Sequence, residues 1–387
     1  MLAINGGNPV IKDSFPDWPV WDKTDVEYVR DAVESGIWGV EGTRIPEFIR
    51  KYAEFQKIKH VLPVANGSVA IETALEALDI KDGDEVIVPD YTFLATAASP
   101  IRRGARIVLV DVDESTFCIN PDLIEEAVTD RTRAIIPVHF GGHPADMDRI
   151  MQIAGKYGLY VVEDCSHAHG AIWNGTHVGS FGDIGTFSLQ ASKTLNCGEG
   201  GLIVTKYERL WNLCRAIHNA GRVAGINDYN HYLCGTNYRI TELQAGLLLA
   251  QMTRIEAQCT LRDKNGKLLT ALLGKIEGVT PQARDPRMDR HGYYLFTFIL
   301  DADIPRRAFN EAVKAEGVPI QVEYPAVHSI ECIRKKNMSG GSFPVSDRVA
   351  ERSVWLYHEA LLGDEESVHL IAEAIGKVIQ HKHELKV

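Results

Sequence analysis

The chain has 387 residues, 45% hydrophobic and 24% charged, which is enough to bury one large domain plus a smaller one. Its formal charge of -11 comes without a clustered basic face, which excludes a nucleic-acid surface, and no run of about 18 apolar residues is present to span a membrane. Seven cysteines form no C-x-x-C pair and no basic-then-apolar leader opens the chain, so reduced thiols in a cytoplasmic protein without a zinc framework are expected.

From Val61 to about Thr205, short runs apolar on both faces alternate with stretches of helical period. The runs are Glu85–Val88, Arg106–Val110, Ala134–Val138, Tyr160–Glu163, Gly185–Ser188 and Leu202–Val204. Such runs suit strands covered by helices on each side, so the fold class is α/β with a mainly parallel sheet. Crossover helices are predicted over Ser68–Leu78, Thr92–Arg102 and Pro144–Gly158, the last with Asp146 and Asp148 in its first turn. Beyond Leu243, the apolar positions from Leu247 to Leu269 predict one long connecting helix. A strand over Tyr293–Leu300, a helix after Pro305, a strand over Val318–Tyr324 and a last helix from Glu365 then suggest a smaller α+β domain. The expected division is a large domain over 1–250, including the N-terminal segment, and a small one over 251–387.

Lys193 carries the strongest chemical signal. It follows the strand-like Phe187-Ser188, precedes the glycine-rich Cys197-Gly198-Glu199-Gly200-Gly201, and stands in an almost uncharged segment. Desolvation there would lower the amine's pKa and favour a nucleophile that condenses with an aldehyde. Asp164 ends the Tyr160–Asp164 run, at the strand edge where open α/β sheets bind ligands, and could pair with a protonated pyridine nitrogen. Taken alone it also reads as a helix-capping aspartate. Asn66-Gly67-Ser68 opens a helix, and the amides of Gly67 and Ser68 would face an anion, although an ordinary serine cap has the same signature. Amine, carboxylate and anion site are the three handles of pyridoxal phosphate. Phe93, after another strand at the same sheet edge, could stack on a flat heterocycle or simply be core. His167 and His169 lack a third ligand at metal spacing, so contacts to a cofactor or to backbone are the better reading and no metal is expected.

Together, Asn66-Gly67-Ser68, the Val88-Pro89 to Thr92-Phe93 segment, Val162 to Gly170, Phe187-Ser188 with Lys193, Glu199-Gly200-Gly201 and Gly235-Thr236-Asn237-Tyr238-Arg239 resemble the DegT/DnrJ/StrS family of sugar aminotransferases over nearly the whole chain. The resemblance implies fold type I of the pyridoxal phosphate enzymes and a homodimer with shared active sites. It assigns Lys193 to the Schiff base, Asp164 to the pyridine nitrogen, Phe93 to the ring face and His167 beside it. Gly67, Ser68 and Ser188 would bind phosphate, and Asn237 would reach the phosphate of the partner subunit's cofactor. Related dehydratases carry histidine where this chain keeps Lys193, which favours transamination. Ser166 to Gly175, Leu189 to Lys193 and Val354 to His358 look more like the cyclitol aminotransferases and aminohydroxybenzoate synthases than the nucleotide-sugar enzymes. The implied reaction therefore moves an amino group from glutamine or glutamate to a keto-cyclitol or keto-sugar of the scyllo-inosose type in antibiotic biosynthesis. Trp38, Tyr324 and His358 are candidates to line the acceptor pocket. A nucleotide-linked keto-sugar acceptor, an aminohydroxybenzoate-type reaction and a non-catalytic regulatory homologue are the rival readings.

Overall fold

The computed structural model describes every residue except 13, 14, 227, 323, 337, 339, 386 and 387. Ahead of the apolar runs lies β1 (His60–Val64), and four of the runs form β2 (Glu85–Pro89), β3 (Arg106–Val110), β4 (Thr132–Ile135) and β5 (Tyr160–Asp164). A small hairpin of β6 (Ile172–Trp173) and β7 (Thr176–His177) follows, and then β8 (Ile184–Ser188) and β9 (Gly201–Thr205). The central sheet has the order β1-β9-β8-β5-β4-β2-β3. The pairs from β8 through β5, β4 and β2 to β3 are parallel, and β9 alone runs against its neighbours β1 and β8. The expected mainly parallel α/β architecture is present.

Helices α1 (Lys23–Glu34) and α2 (Arg44–Gln56) precede the sheet. The crossovers are α3 (Gly67–Ala77), α4 (Leu94–Arg102), α5 (Pro121–Ala127) and α6 (Met147–Tyr157), followed by α7 (Glu208–His218). Ala70, Ile71, Ala74 and Leu75 of α3 are buried against Val64, Val88, Val162 and Ile203 of the sheet, which seats the start of α3 over the carboxyl end of the parallel strands.

The connecting helix expected as one is two: α8 (Glu242–Met252) and α9 (Ile255–Leu273). Arg254 departs from helical geometry at φ -121° and ψ -7°. That departure sets its guanidinium against Asp22, at 3.3 Å, and against Asp25 of α1, a tertiary ion pair that no helical period can announce. Downstream, β10 (Val279–Pro281), β12 (Leu295–Leu300), β13 (Ile320–Gln321) and β14 (Ser353–Tyr357) form an antiparallel sheet ordered β10-β12-β14-β13, while β11 (Met288–Arg290) pairs with β6. The strand expected over Val318–Tyr324 is confined to β13, and its Glu323 lies outside the described residues.

The first residues of the chain reach the core of the small domain, while the rest of the N-terminal segment packs on the large one. Leu2 and Ile11 are buried in the core formed by α9, β12, β14 and the Glu365–Gln380 helix. Glu316, fully buried, holds them there by accepting hydrogen bonds from the Ala3 and Val10 amides at 2.8 and 3.0 Å and from Lys377 at 2.8 Å. Glu316→Ala would take the carboxylate from the half-buried Lys377 ammonium, leaving it only the Asn8 carbonyl, and would leave two amides unpaired. We expect a loss of about 3–5 kcal/mol, read as a lower urea midpoint, with Glu316→Gln less affected.

Candidate active site

The register of β5 against β8 pairs Asp164 with Thr186, so the ends of both strands open on the same edge of the sheet. Asp164 is buried there, 4% exposed. Its Oδ2 accepts a hydrogen bond from the Thr96 hydroxyl at 2.7 Å, and its Oδ1 accepts one from the Ser166 amide at 3.1 Å. Thr96 lies one turn into α4, whose N-cap is Phe93. Phe93 is 61% exposed, so the large aromatic expected to cover a heterocycle stands uncovered at the start of the helix that carries Thr96.

Lys193 follows β8 in a loop whose turns close on themselves. The Lys193 amide donates to the Gln190 carbonyl at 2.8 Å, and the Ala191 amide donates to the Gly198 carbonyl at 2.8 Å. Nζ of Lys193 sits 4.0 Å from the centroid of the Tyr294 ring. Burial lowers the amine from its ordinary 10.5 to about 8, a shift that the charge of Asp164 opposes without cancelling. The site thus keeps a carboxylate and an amine in electrostatic contact, with the amine brought within reach of losing its proton near physiological pH.

An anion cup adjoins them. Asn66 caps α3 by accepting from the Val69 amide, and among the described residues the Gly67 and Ser68 amides have no protein acceptor. A Cβ on Gly67 would meet Cβ of Ser188 at 2.9 Å, so glycine is what lets the start of α3 lie against the end of β8. The same closeness recurs at Gly201, where a Cβ would fall 2.4 Å from the Asn66 carbonyl. Two free amides at a helix N-terminus beside the Ser188 hydroxyl suit a phosphate, and a buried amine and carboxylate next to them suit an aldehyde and a pyridine nitrogen.

Burial keeps His167 and His169 neutral. His167 is pushed well below the usual imidazole range by burial and then by the Lys193 charge. It accepts from the Gly141 amide through Nδ1 at 3.3 Å, and its ring lies 4.4 Å from that of Tyr294. His169 bridges the Ser188 carbonyl at 2.8 Å and the Tyr52 hydroxyl at 3.3 Å, in keeping with the expected backbone contact. His139, Glu163 and Cys165 also cluster in the interior. There, however, the Glu163 carboxylate already accepts the Gly179, Phe181 and Gly182 amides at 2.7 to 2.9 Å, and His139 Nδ1 accepts the Ala145 amide. That cluster anchors a turn.

The three expected pocket residues part company. The ring of Tyr324 packs near Tyr91 and Phe140, with its hydroxyl buried and unpartnered among the described residues. Trp38 lies 58% exposed on the loop after α1, its indole N–H donating to the Val33 carbonyl, and among the described residues no hydrogen bond or ring contact joins it to the Lys193 cluster. His358 is fully buried behind the Lys193 loop with both ring nitrogens engaged, so it does not face a pocket as expected. Asn237 is exposed on the loop before α8, and the neighbouring Tyr238 carbonyl accepts from Ala65 beside the cup. Sequence reasoning missed Thr96 and Tyr294. Thr96 was findable, since it lies three positions after Phe93 and therefore on the same face of α4.

A model of the DegT/DnrJ/EryC1/StrS aminotransferase family matches residues 19–375. The chain belongs to this family. Among relatives of this aminotransferase, the L-glutamine:2-deoxy-scyllo-inosose aminotransferase of Streptoalloteichus tenebrarius is 34% identical, with 100% of this chain and 99% of the relative covered. The 3-amino-5-hydroxybenzoate synthase of Amycolatopsis mediterranei is 35% identical over 94% and 97% of the two chains. The crystal structure of a 3-amino-5-hydroxybenzoic acid synthase superposes with a TM-score of 0.91 at 34% identity, covering 95% of this chain and 99% of the other. The fold is type I of the pyridoxal phosphate enzymes.

The depressed Lys193 value gives a test that needs no cofactor. Because the folded value lies below the unfolded one, the unfolded chain binds more protons between about 8 and 10.5, and folding gains stability as pH rises through that window. Labelling of Lys193 by an amine-selective reagent, followed by peptide mass spectrometry, should rise with a midpoint near pH 8. Exposed lysines should label with midpoints near about 10.4.

Proposed function

We propose that this aminotransferase uses pyridoxal 5'-phosphate to move an amino group from L-glutamine to a keto-cyclitol of the scyllo-inosose type. It would act in the cytoplasm as a homodimer. The observation that carries this reading is the full-length likeness to the glutamine:scyllo-inosose enzyme, joined to an amine, carboxylate and anion cup that meet at one sheet edge. When bound, the cofactor supplies an aldehyde and an electron sink.

The chain's own groups do the rest. The Gly67 and Ser68 amides and the Ser188 hydroxyl hold the phosphate, Phe93 covers one ring face and His167 stands beside the ring. Asp164, fixed by Thr96 and Ser166, keeps the pyridine nitrogen protonated. Lys193 would hold the aldehyde carbon, and its Nζ would take the proton from the donor α-carbon as base and return it as acid. Tyr324 offers its unpartnered hydroxyl to a hydroxyl of the acceptor.

Pairing of two copies is supported by the apolar side chains that α1 and its flanks leave open, Trp21 at 68%, Val26 at 54% and Trp38 at 58% exposure. In the dimer Asn237 would serve the partner's phosphate. Among the described residues no helix is long and apolar enough to cross a membrane.

Lys193→Ala is expected to stay folded and give no detectable turnover, and Asp164→Asn to lose about 100-fold or more in kcat. Single-turnover loss of the aminated cofactor's absorption, with scyllo-inosose-type ketones set against nucleotide-linked keto-sugars and aminohydroxybenzoate precursors, decides the acceptor. Fast reaction with a nucleotide sugar and none with an inosose would overturn the cyclitol assignment, and turnover by Lys193→Ala would overturn the mechanism.

A further inference from the structure

The loop that carries Lys193 is gripped from outside. Trp18, on the N-terminal segment, donates its indole N–H to the Ala191 carbonyl at 3.0 Å. His358, just after β14, places Nε2 3.0 Å from the next carbonyl, that of Ser192. The partners lie 173 and 166 residues away in sequence, and the two rings meet edge to face with centroids 4.3 Å apart. They form one aromatic unit on two consecutive peptide groups, one residue short of Lys193.

The proton on His358 is fixed by its other nitrogen. Nη1 of Arg262, on α9, lies 3.3 Å from His358 Nδ1. A guanidinium can only donate, so Nδ1 accepts and the hydrogen resides on Nε2, aimed at Ser192. Burial, followed by the Arg262 charge, keeps the ring neutral, and the Glu359 carboxylate, 3.8 Å from Nε2, is the nearby anion. Arg262 is fully buried, with Nε and Nη2 unpartnered among the described residues. A cation retained at that cost is the group that holds the imidazole in its donating form. Tyr294 adds a third contact, its hydroxyl 3.0 Å from Ser192 Oγ.

We propose that Trp18 and His358 are positioning residues for the Lys193 amine, clamping the Ala191 and Ser192 carbonyls so that this side chain enters the pocket from a fixed backbone. The proposal rests on Lys193 acting as assigned above. The amine must serve two carbon atoms in turn, and an error of about 1 Å in such a group costs on the order of 100-fold in rate. His358 is fully buried with both ring nitrogens engaged by the protein.

Three variants test this: Trp18→Phe keeps the ring without its N–H, His358→Ala removes the donor, and His358→Gln restores an N–H at similar reach. In cofactor-free protein, the labelling midpoint of Lys193 should move from about 8 toward ordinary lysine values in Trp18→Phe and His358→Ala, because a slackened loop admits water. It should return toward 8 in His358→Gln. With cofactor and glutamine, kcat should fall about 10- to 100-fold in the first two variants while the donor KM stays within about twofold. His358→Gln should recover most of the loss. Wild-type labelling and kcat in Trp18→Phe and His358→Gln together with unchanged labelling in His358→Ala would overturn the clamp, as would losses that merely follow the fraction folded in thermal melts. Should His358→Ala not fold, Trp18→Phe against His358→Gln decides alone. Labelling reads the loop without turnover, so failure of the clamp and failure of the Lys193 assignment give different results.

Discussion

The fully buried carboxylate of Glu163 sets the end of β5, and the site follows from it. Three amides from the turn at Gly179 to Gly182 and the ring of His139 converge on its two oxygens. Neighbouring side chains of a strand face opposite ways, so pinning Glu163 on one face commits Asp164 to the other. The turn can come this close only because glycine stands at its points of contact. A Cβ on Gly182 would fall 2.5 Å from the Val161 carbonyl, and one on Gly185 the same distance from Gly179. A slip of one residue would exchange the two acids and leave the pocket without its own.

Charge is sparse once that edge is built. His167, His169 and His358 are all kept neutral by burial, so Lys193 is the cation nearest Asp164. The pair is not a closed salt bridge, since desolvation outweighs the pull of Asp164 on the amine. A group that stays ionised would be useless as a nucleophile, whereas one held near neutrality can give up and regain a proton at the pH of the cell.

Much of this was legible in the sequence. Runs apolar on both faces announced β2, β3, β5 and β8 to within a residue or so, because a strand buried on two sides leaves no other pattern. Lys193, Asp164, Gly67 and Ser188 were legible as strand-end and turn residues, and the fold gathers them at one edge. What escaped depends on partners remote in the chain. The helix break at Arg254 answers to Asp22 and Asp25, the N-terminal segment answers to Glu316, and His358 looked like a pocket residue because nothing local reveals Arg262 or Ser192. Short-range periodicity cannot encode contacts of that span.

The single reversed strand also constrains the order of events in folding. β1 has one neighbour in the sheet, β9, whose residues pair His60 with Thr205 and Val64 with Gly201. Until synthesis has passed Thr205, β1 has no partner strand, and the start of α3 lacks the Gly201 end of β9 that abuts Asn66. The lysine loop sits between β8 and β9, so the same insertion that seats β1 also closes that loop. The anion cup and the Lys193 loop are therefore completed by the same strand, β9.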